Sequence, residues 1–127
     1  MTRVVARRVL AAVFLLAGLN HFAQPRLYRA IMPDYLPAHD ALVAASGYAE
    51  IALGLLALDG RARGLTRWGL TALLIAIFPA NLHMALHATR YPRIPAPLLW
   101  LRLPLQGVLI AWVWWATAPE APGTSLK

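Results

Sequence analysis

Apolar residues are gathered into four segments of the chain, and stretches rich in proline, glycine or charge separate them. The predicted segments cover residues 8–24, 41–58, 65–87 and 98–117. Each is close to the roughly 20 residues that a helix needs to cross a bilayer. The pattern therefore predicts an all-α fold, a bundle of four transmembrane helices that forms a single domain over residues 1–127.

The third segment contains the longest uncharged run of the chain, from Trp68 to Thr89. Its last part, residues 78–87, nevertheless contains a proline, an asparagine and two histidines. Polar side chains are costly in lipid, and within membrane spans they usually face protein or water. We therefore expect this part of the third segment to face the interior of the bundle.

The connection between the first two segments, Pro25 to Asp40, contains three prolines and mixes tyrosines with arginines. It is too short and too polar to span, and tyrosine beside arginine suits the membrane–water interface. It is predicted to form a short interfacial helix or an exposed loop.

A basic start before an apolar run also describes a secretory signal peptide. No small-x-small cleavage site follows, so we expect a retained first span. Residues 118–127 are predicted to be a disordered tail.

The composition favours a membrane protein, since 60% of the residues are hydrophobic and only 13% are charged. Soluble domains carry about 25% charged residues. The net charge is +7, but the arginines flank apolar runs and form no basic stripe, so we expect no nucleic-acid partner. With cytoplasmic termini, seven basic residues lie inside and four outside, which favours that orientation. The chain has no cysteine, which excludes thiol–disulfide chemistry within it.

Five polar or charged residues interrupt the apolar segments and form the candidate site. They are His21, Glu50, Asn81, Arg102 and Gln106. A rise of about 1.5 Å per residue places His21, Asn81 and Arg102 in the outer half of the bundle and the other two near its midplane. Opposite charges inside a bundle should pair, so Glu50 and Arg102 are expected to form an ion pair. The network either binds a ligand or only locks the helices together, and the residues alone leave both open.

His83 and His87 are spaced i, i+4 and form a weak candidate for a pair of metal ligands. Two histidines near a helix end are more often interfacial. No metal is therefore assigned.

Several short motifs occur in an order that resembles the DoxX family of small bacterial membrane proteins. They are Ala17–Phe22, Ile31–Pro37, Ser46–Gly54, Phe78–Met84 and Leu101–Gln106. The resemblance implies a four-helix integral membrane protein of the bacterial inner membrane. It also places His21, Glu50, Asn81, Arg102 and Gln106 at motif positions of that family, without a settled catalytic role for any of them.

Three functional hypotheses follow. The first is an accessory subunit of a membrane redox or oxidative-stress system that binds a quinone or another small amphiphile, with redox partner subunits, a possible homo-oligomer and no independent enzyme activity. The second is a non-catalytic scaffold or assembly factor with a structural polar network. The third is a lipid or sterol isomerase that uses Glu50 and His21 for proton transfer.

Overall fold

The structure, a computed structural model, describes residues 2–30, 32–92 and 94–119. These residues form helices and connecting turns, and no strand occurs among them. The helices are α1 (Arg3–Ala23), α2 (Pro25–Ala30), α3 (His39–Ala57), α4 (Arg63–Leu86) and α5 (Ala96–Ala116). Short 3-10 turns at Gly60–Ala62 and Ala88–Arg90 precede α4 and follow it. The prediction of an all-α fold is confirmed.

Four of the helices, α1, α3, α4 and α5, are long and apolar enough to cross a membrane, and they match the four predicted segments. The main difference is at the start of α1, which begins five residues before the predicted span. Thr2 caps this helix, since its side-chain oxygen accepts a hydrogen bond from the Val5 backbone N–H at 3.2 Å. The basic residues that were expected to precede the first span are therefore part of the helix itself.

Each of the four long helices packs against two others: α1 contacts α3 and α5, and α4 contacts α3 and α5. The largest apolar cluster is built mainly from α1, α4 and α5. Its buried members are Ala6, Leu10, Phe14, Leu70, Leu74, Val113 and Ala116. A second cluster joins the end of α4 to the start of α5 around Met84, Ala85 and Leu99.

The contact between α1 and α3 is close because glycines lie along it. A Cβ atom built on Gly18 would lie 2.8 Å from the Gly47 carbonyl oxygen and 2.7 Å from a side-chain carbon of Ile51. A Cβ on Gly54 would lie 3.1 Å from the Leu15 backbone nitrogen. Small residues allow helix backbones to approach in this way. Glu50 is thereby held on the α3 face that packs on α1.

Arginine side chains cover the carboxyl end of α5. Arg7 donates to the Ala116 carbonyl oxygen at 3.3 Å, and Arg67 donates to the Thr117 hydroxyl at 3.0 Å and to the Trp114 carbonyl at 3.2 Å. The last carbonyls of a helix have no partner within the helix, and cations stabilise that end. These contacts tie α1 and α4 to α5.

We call the opposite end of the molecule the α2 end. There the connection between α1 and α3 and the connection between α4 and α5 contact each other and the neighbouring helices. Arg90 pairs with Asp34 at 2.7 Å, and Arg29 pairs with Asp40 at 2.7 Å. The hydrogen bond from Arg90 holds the pKa of the Asp34 carboxyl below its ordinary value. The Tyr91 hydroxyl donates to the Ala30 carbonyl oxygen at 3.1 Å. The predicted tail beyond Pro119 lies outside the described residues.

Candidate functional site

The five predicted site residues fall into two separate groups. His21 of α1 and Glu50 of α3 lie together in the close contact between those helices. Asn81 of α4 and Gln106 of α5 form a second group, and Arg102 lies one turn before Gln106 on α5. All except Arg102 are at least nine-tenths buried. The structure therefore places the polar residues in two separate contacts, one between α1 and α3 and one between α4 and α5. They do not form a single polar zone to which all four long helices contribute.

The His21–Glu50 pair is close but is not hydrogen-bonded. The His21 Nε2 and Glu50 Oε2 atoms are 3.5 Å apart, and each residue is only about 6% or 5% exposed. Glu50 Oε2 is buried and has no hydrogen-bond donor within the described residues. A buried acceptor without a partner costs about 1–3 kcal/mol, and more when it is charged. Glu50 therefore presents an acceptor that a donor group would stabilise.

The backbone of α3 fixes which nitrogen of His21 faces Glu50. His21 Nδ1 lies 3.2 Å from the Val43 carbonyl oxygen, which can only accept. Ser46 Oγ is also 3.2 Å from Nδ1, but it donates its proton to the Leu42 or Val43 carbonyl at 2.9 or 3.0 Å. Nδ1 must therefore carry a hydrogen, and in the neutral imidazole the Nε2 lone pair points towards the carboxyl group. Neutral His21 therefore supplies no hydrogen to Glu50 Oε2.

An aromatic side chain from α2 packs against His21 of this pair. The Tyr28 ring lies over His21 with a centroid distance of 3.8 Å, and its hydroxyl accepts a hydrogen bond from Asn20 Nδ2 at 2.9 Å. No residue of α2 is itself buried. The hollows that flank α2 are open to the surface and are lined by residues other than His21 and Glu50. Tyr28 is therefore the α2 side chain that packs on the imidazole of the pair.

The expected ion pair between Glu50 and Arg102 is wrong. Arg102 Nη1 donates to the Met84 sulfur at 3.4 Å, while Glu50 faces His21. Glu50 lies on the α3 face that packs on α1, whereas Arg102 lies on α5 against α4. The two charges therefore belong to different helix contacts, so similar depth along the helices does not bring them together.

Asn81 and Gln106 form a chain of hydrogen bonds between α4 and α5. Gln106 Nε2 donates to the Leu74 carbonyl oxygen, and Asn81 Nδ2 donates to Gln106 Oε1 at 2.9 Å. Because the Leu74 carbonyl can only accept, the Gln106 side chain must point its NH2 group towards it. The Gln106 oxygen then accepts from Asn81, which fixes the orientation of the Asn81 amide as well. Asn81 Oδ1 is consequently left buried without a donor. This group joins the two helices that each contain an internal proline, Pro79 and Pro104.

His83 and His87 lie at the α2 end of α4 and pack against each other, with ring centroids 4.2 Å apart. His87 Nδ1 is 2.9 Å from the His83 carbonyl oxygen, and His83 makes an edge-on contact with the Tyr35 ring at 6.2 Å. Within the described residues, no group of three or more His, Asp or Glu side chains is placed to hold a metal. These histidines therefore pack in the connection at this end, apart from the His21–Glu50 pair.

A family model described as "Domain of unknown function (DUF8561)" matches residues 10–117. The chain belongs to the DUF8561 family. No curated protein and no solved structure matches the chain. All five predicted site residues, and the residues that surround the His21–Glu50 pair, lie within the DUF8561 region.

Within the DUF8561 region, sequence reasoning missed part of the surroundings of His21. Ser46 could be placed from periodicity, since it shares a helical face with Glu50. Tyr28 and Asn20 gave no comparable signal, because their contact depends on how the chain turns after α1 at Gln24. The Val43 carbonyl that orients the imidazole is a backbone group, and no side-chain pattern marks it.

Proposed function

We propose that this chain is an integral membrane protein whose four long helices form a transmembrane bundle, and that it binds the polar head of a quinone-like amphiphile at the His21–Glu50 pair. In this proposal it is an accessory subunit of a redox system in a bacterial inner membrane, with both termini cytoplasmic. The length and composition of the four helices support membrane insertion. The excess of arginine at the end opposite α2 supports the orientation.

The observation that carries the proposal is the buried carboxylate oxygen of Glu50, which has no donor. Ionisable residues inside membrane spans are expensive and usually mark functional sites. An acceptor in this position fits a head group that donates a hydroxyl hydrogen, as the quinol form of a quinone does. The quinol hydroxyl would donate to Glu50 while His21 stays fixed through Nδ1 by Val43.

The accessory role follows from what the chain contains. It has no cysteine, so electrons for a quinone would come from a cofactor or a partner subunit. The chain would contribute the binding site, with no redox reaction of its own. The DoxX-like character of the five motifs stays a prediction that agrees with this role.

The test is the affinity of the purified protein, in mild detergent, for a short-chain quinol and for its dimethyl ether, which has no hydroxyl donor. Wild type should bind the quinol about tenfold or more tightly than the ether, since a hydrogen bond to a charged group contributes about 1.5–3 kcal/mol. The variant Glu50→Leu should lose this preference. Thr66→Val is the matched control, because Thr66 is also buried and without a partner but belongs to neither polar group.

Equal affinity for quinol and ether in wild type would reject the proposal, and so would a preference that survives in Glu50→Leu. Arg102→Leu forms a separate arm of the experiment. Since Arg102 contacts Met84 and not Glu50, its replacement should leave the quinol preference unchanged.

A second candidate function is a scaffold or assembly factor in which the polar groups only hold the helices together. The Asn81–Gln106 hydrogen bond and the contact of Arg7 with the end of α5 favour it, because each joins two helices. In that case Glu50→Leu should lower the unfolding temperature, and no amphiphile should bind in a Glu50-dependent way. Quinol binding with the stated preference would reject the scaffold role as the whole function.

A further inference from the structure

Arg102 lies within α5 and has only a weak acceptor as its partner. Its one hydrogen bond to another side chain in the described residues is to the Met84 sulfur, at 3.4 Å. A thioether is a weak acceptor and carries no charge. A guanidinium group at membrane depth is costly unless it pairs with an anion or reaches the interface. Arg102 therefore carries a charge that its Met84 partner does not compensate.

The carboxylates of the described chain are all engaged elsewhere. Asp34 pairs with Arg90, Asp40 pairs with Arg29, and Glu50 faces His21. Asp59 accepts from the Arg61 backbone N–H at 2.9 Å, at the opposite end of the molecule. The fifth acidic residue, Glu120, lies outside the described residues. Within the described chain, no carboxylate lies within 4 Å of the Arg102 guanidinium.

The position of Arg102 suits a lipid head group. Arg102 is the seventh residue of α5, so it lies about 9 Å along the helix from its first residue, near the α2 end. Long arginine side chains at this depth extend towards the membrane–water interface. Three leucines at i−4, i−1 and i+3 continue from Arg102 along the same side of α5, and they are about half exposed. They are Leu98, Leu101 and Leu105. Leu98 and Leu101 lie nearer the α2 end than Arg102, and Leu105 lies about one turn deeper. This face, which we call the Leu98–Leu105 face, offers an apolar surface for an acyl chain beside the charge.

We propose that Arg102 binds the phosphate of an anionic phospholipid whose acyl chain lies along the Leu98–Leu105 face. The proposal rests on the membrane insertion proposed above, but it concerns the α4–α5 contact and is independent of the quinol site between α1 and α3. The guanidinium supplies paired donors to the phosphate oxygens, a geometry for which arginine is better suited than lysine. Charge complementarity selects an anionic over a zwitterionic lipid.

The experiment is native mass spectrometry of the purified protein with equal amounts of phosphatidylglycerol and phosphatidylcholine. Wild type should carry about fivefold more phosphatidylglycerol, the factor expected for one basic residue near the surface. Arg102→Gln should lose most of that preference. Arg26→Gln is the matched control, because Arg26 is an exposed arginine of α2 at the same end of the molecule, and it should keep the preference. Glu50→Leu should also keep it, which separates this proposal from the quinol site.

A second measurement uses the wild-type protein and does not depend on how the variants fold. The chain has three methionines, and Met84 contacts Arg102, so its methyl carbon NMR signal reports on the guanidinium. Phosphatidylglycerol should shift this signal, and phosphatidylcholine should not. An unchanged Met84 signal would overturn the proposal. Equal losses of preference in Arg102→Gln and Arg26→Gln, or a shift produced by oleate but not by phosphatidylglycerol, would overturn it as well.

Discussion

At the scale of single residues, the polar atoms buried between helices determine which substitutions the fold tolerates. Gln106 is the clearest case, because it accepts from Asn81 and donates to the Leu74 carbonyl. Removing one member of such a chain leaves the remaining polar groups buried without hydrogen-bond partners. Removing both side chains leaves fewer such groups. The Asn81–Gln106 contact can therefore be separated from simple packing by a pair of variants.

We expect Gln106→Leu to lower the free energy of unfolding by about 1–3 kcal/mol, because it leaves Asn81 Nδ2 buried without an acceptor. The double variant Asn81→Leu/Gln106→Leu should be less destabilised than the sum of the two single variants. Thermal unfolding in detergent measures both. Strict additivity would contradict the hydrogen bond.

Residue types allowed the members of the two polar groups to be predicted, because polar groups in apolar segments stand out. The partners could not be predicted in the same way. Arg102 was expected to pair with Glu50 because both are charged, but the structure pairs Glu50 with His21 and places Arg102 beside Met84. A partner across a helix contact depends on the rotation of each helix about its axis, and packing sets that rotation.

At the scale of elements, the contact between α1 and α3 is the most sensitive to added volume. Gly18→Ala would place a Cβ atom 2.8 Å from the Gly47 carbonyl oxygen, which belongs to the backbone and cannot move aside alone. We expect a loss of about 1–3 kcal/mol in the free energy of unfolding. Gly107→Ala in α5 is the control, because nothing lies within 4 Å of its Cβ position.

Thermal unfolding of the two alanine variants in the same detergent provides the measurement. Gly107→Ala should be neutral or slightly stabilising, since alanine is the better helix former. Equal unfolding temperatures for Gly18→Ala and wild type would contradict the close approach of α1 and α3.

The helical period accounts for the buried face of α3, since Val43, Gly47, Glu50, Gly54 and Ala57 recur at helical spacing and are all buried. It did not predict the early start of α1, because that depends on the Thr2 cap. Nor did it predict that Arg7 would contact the end of α5, since a basic residue near a span ordinarily remains at the interface. The helical spacing of small and apolar residues therefore predicts which face of a helix is buried. It does not predict which residues that face contacts.

At the scale of the whole molecule, the Arg90–Asp34 ion pair at the α2 end holds the two connections together in a pH-dependent way. Because Arg90 lowers the pKa of Asp34, the pair favours the folded state above the ordinary Asp pKa of about 3.8. That contribution is lost as the pH falls through the lower pKa of the folded state.

The carbon NMR signal of the Asp34 carboxyl, followed against pH, tests this assignment. Its midpoint should lie below 3.8 in wild type and should rise towards 3.8 in Arg90→Gln, where the hydrogen bond is removed. A midpoint that does not respond to Arg90→Gln would show that the pair does not form in solution.

The most direct test of the proposed function is mass spectrometry of the small molecules that co-purify with the protein in mild detergent. Wild type, Glu50→Leu and Thr66→Val should be purified side by side from the same membranes. We predict a quinone-class amphiphile in wild type and in Thr66→Val, and at least tenfold less of it in Glu50→Leu. Equal amounts in all three preparations, or no such molecule in wild type, would contradict binding at the His21–Glu50 pair.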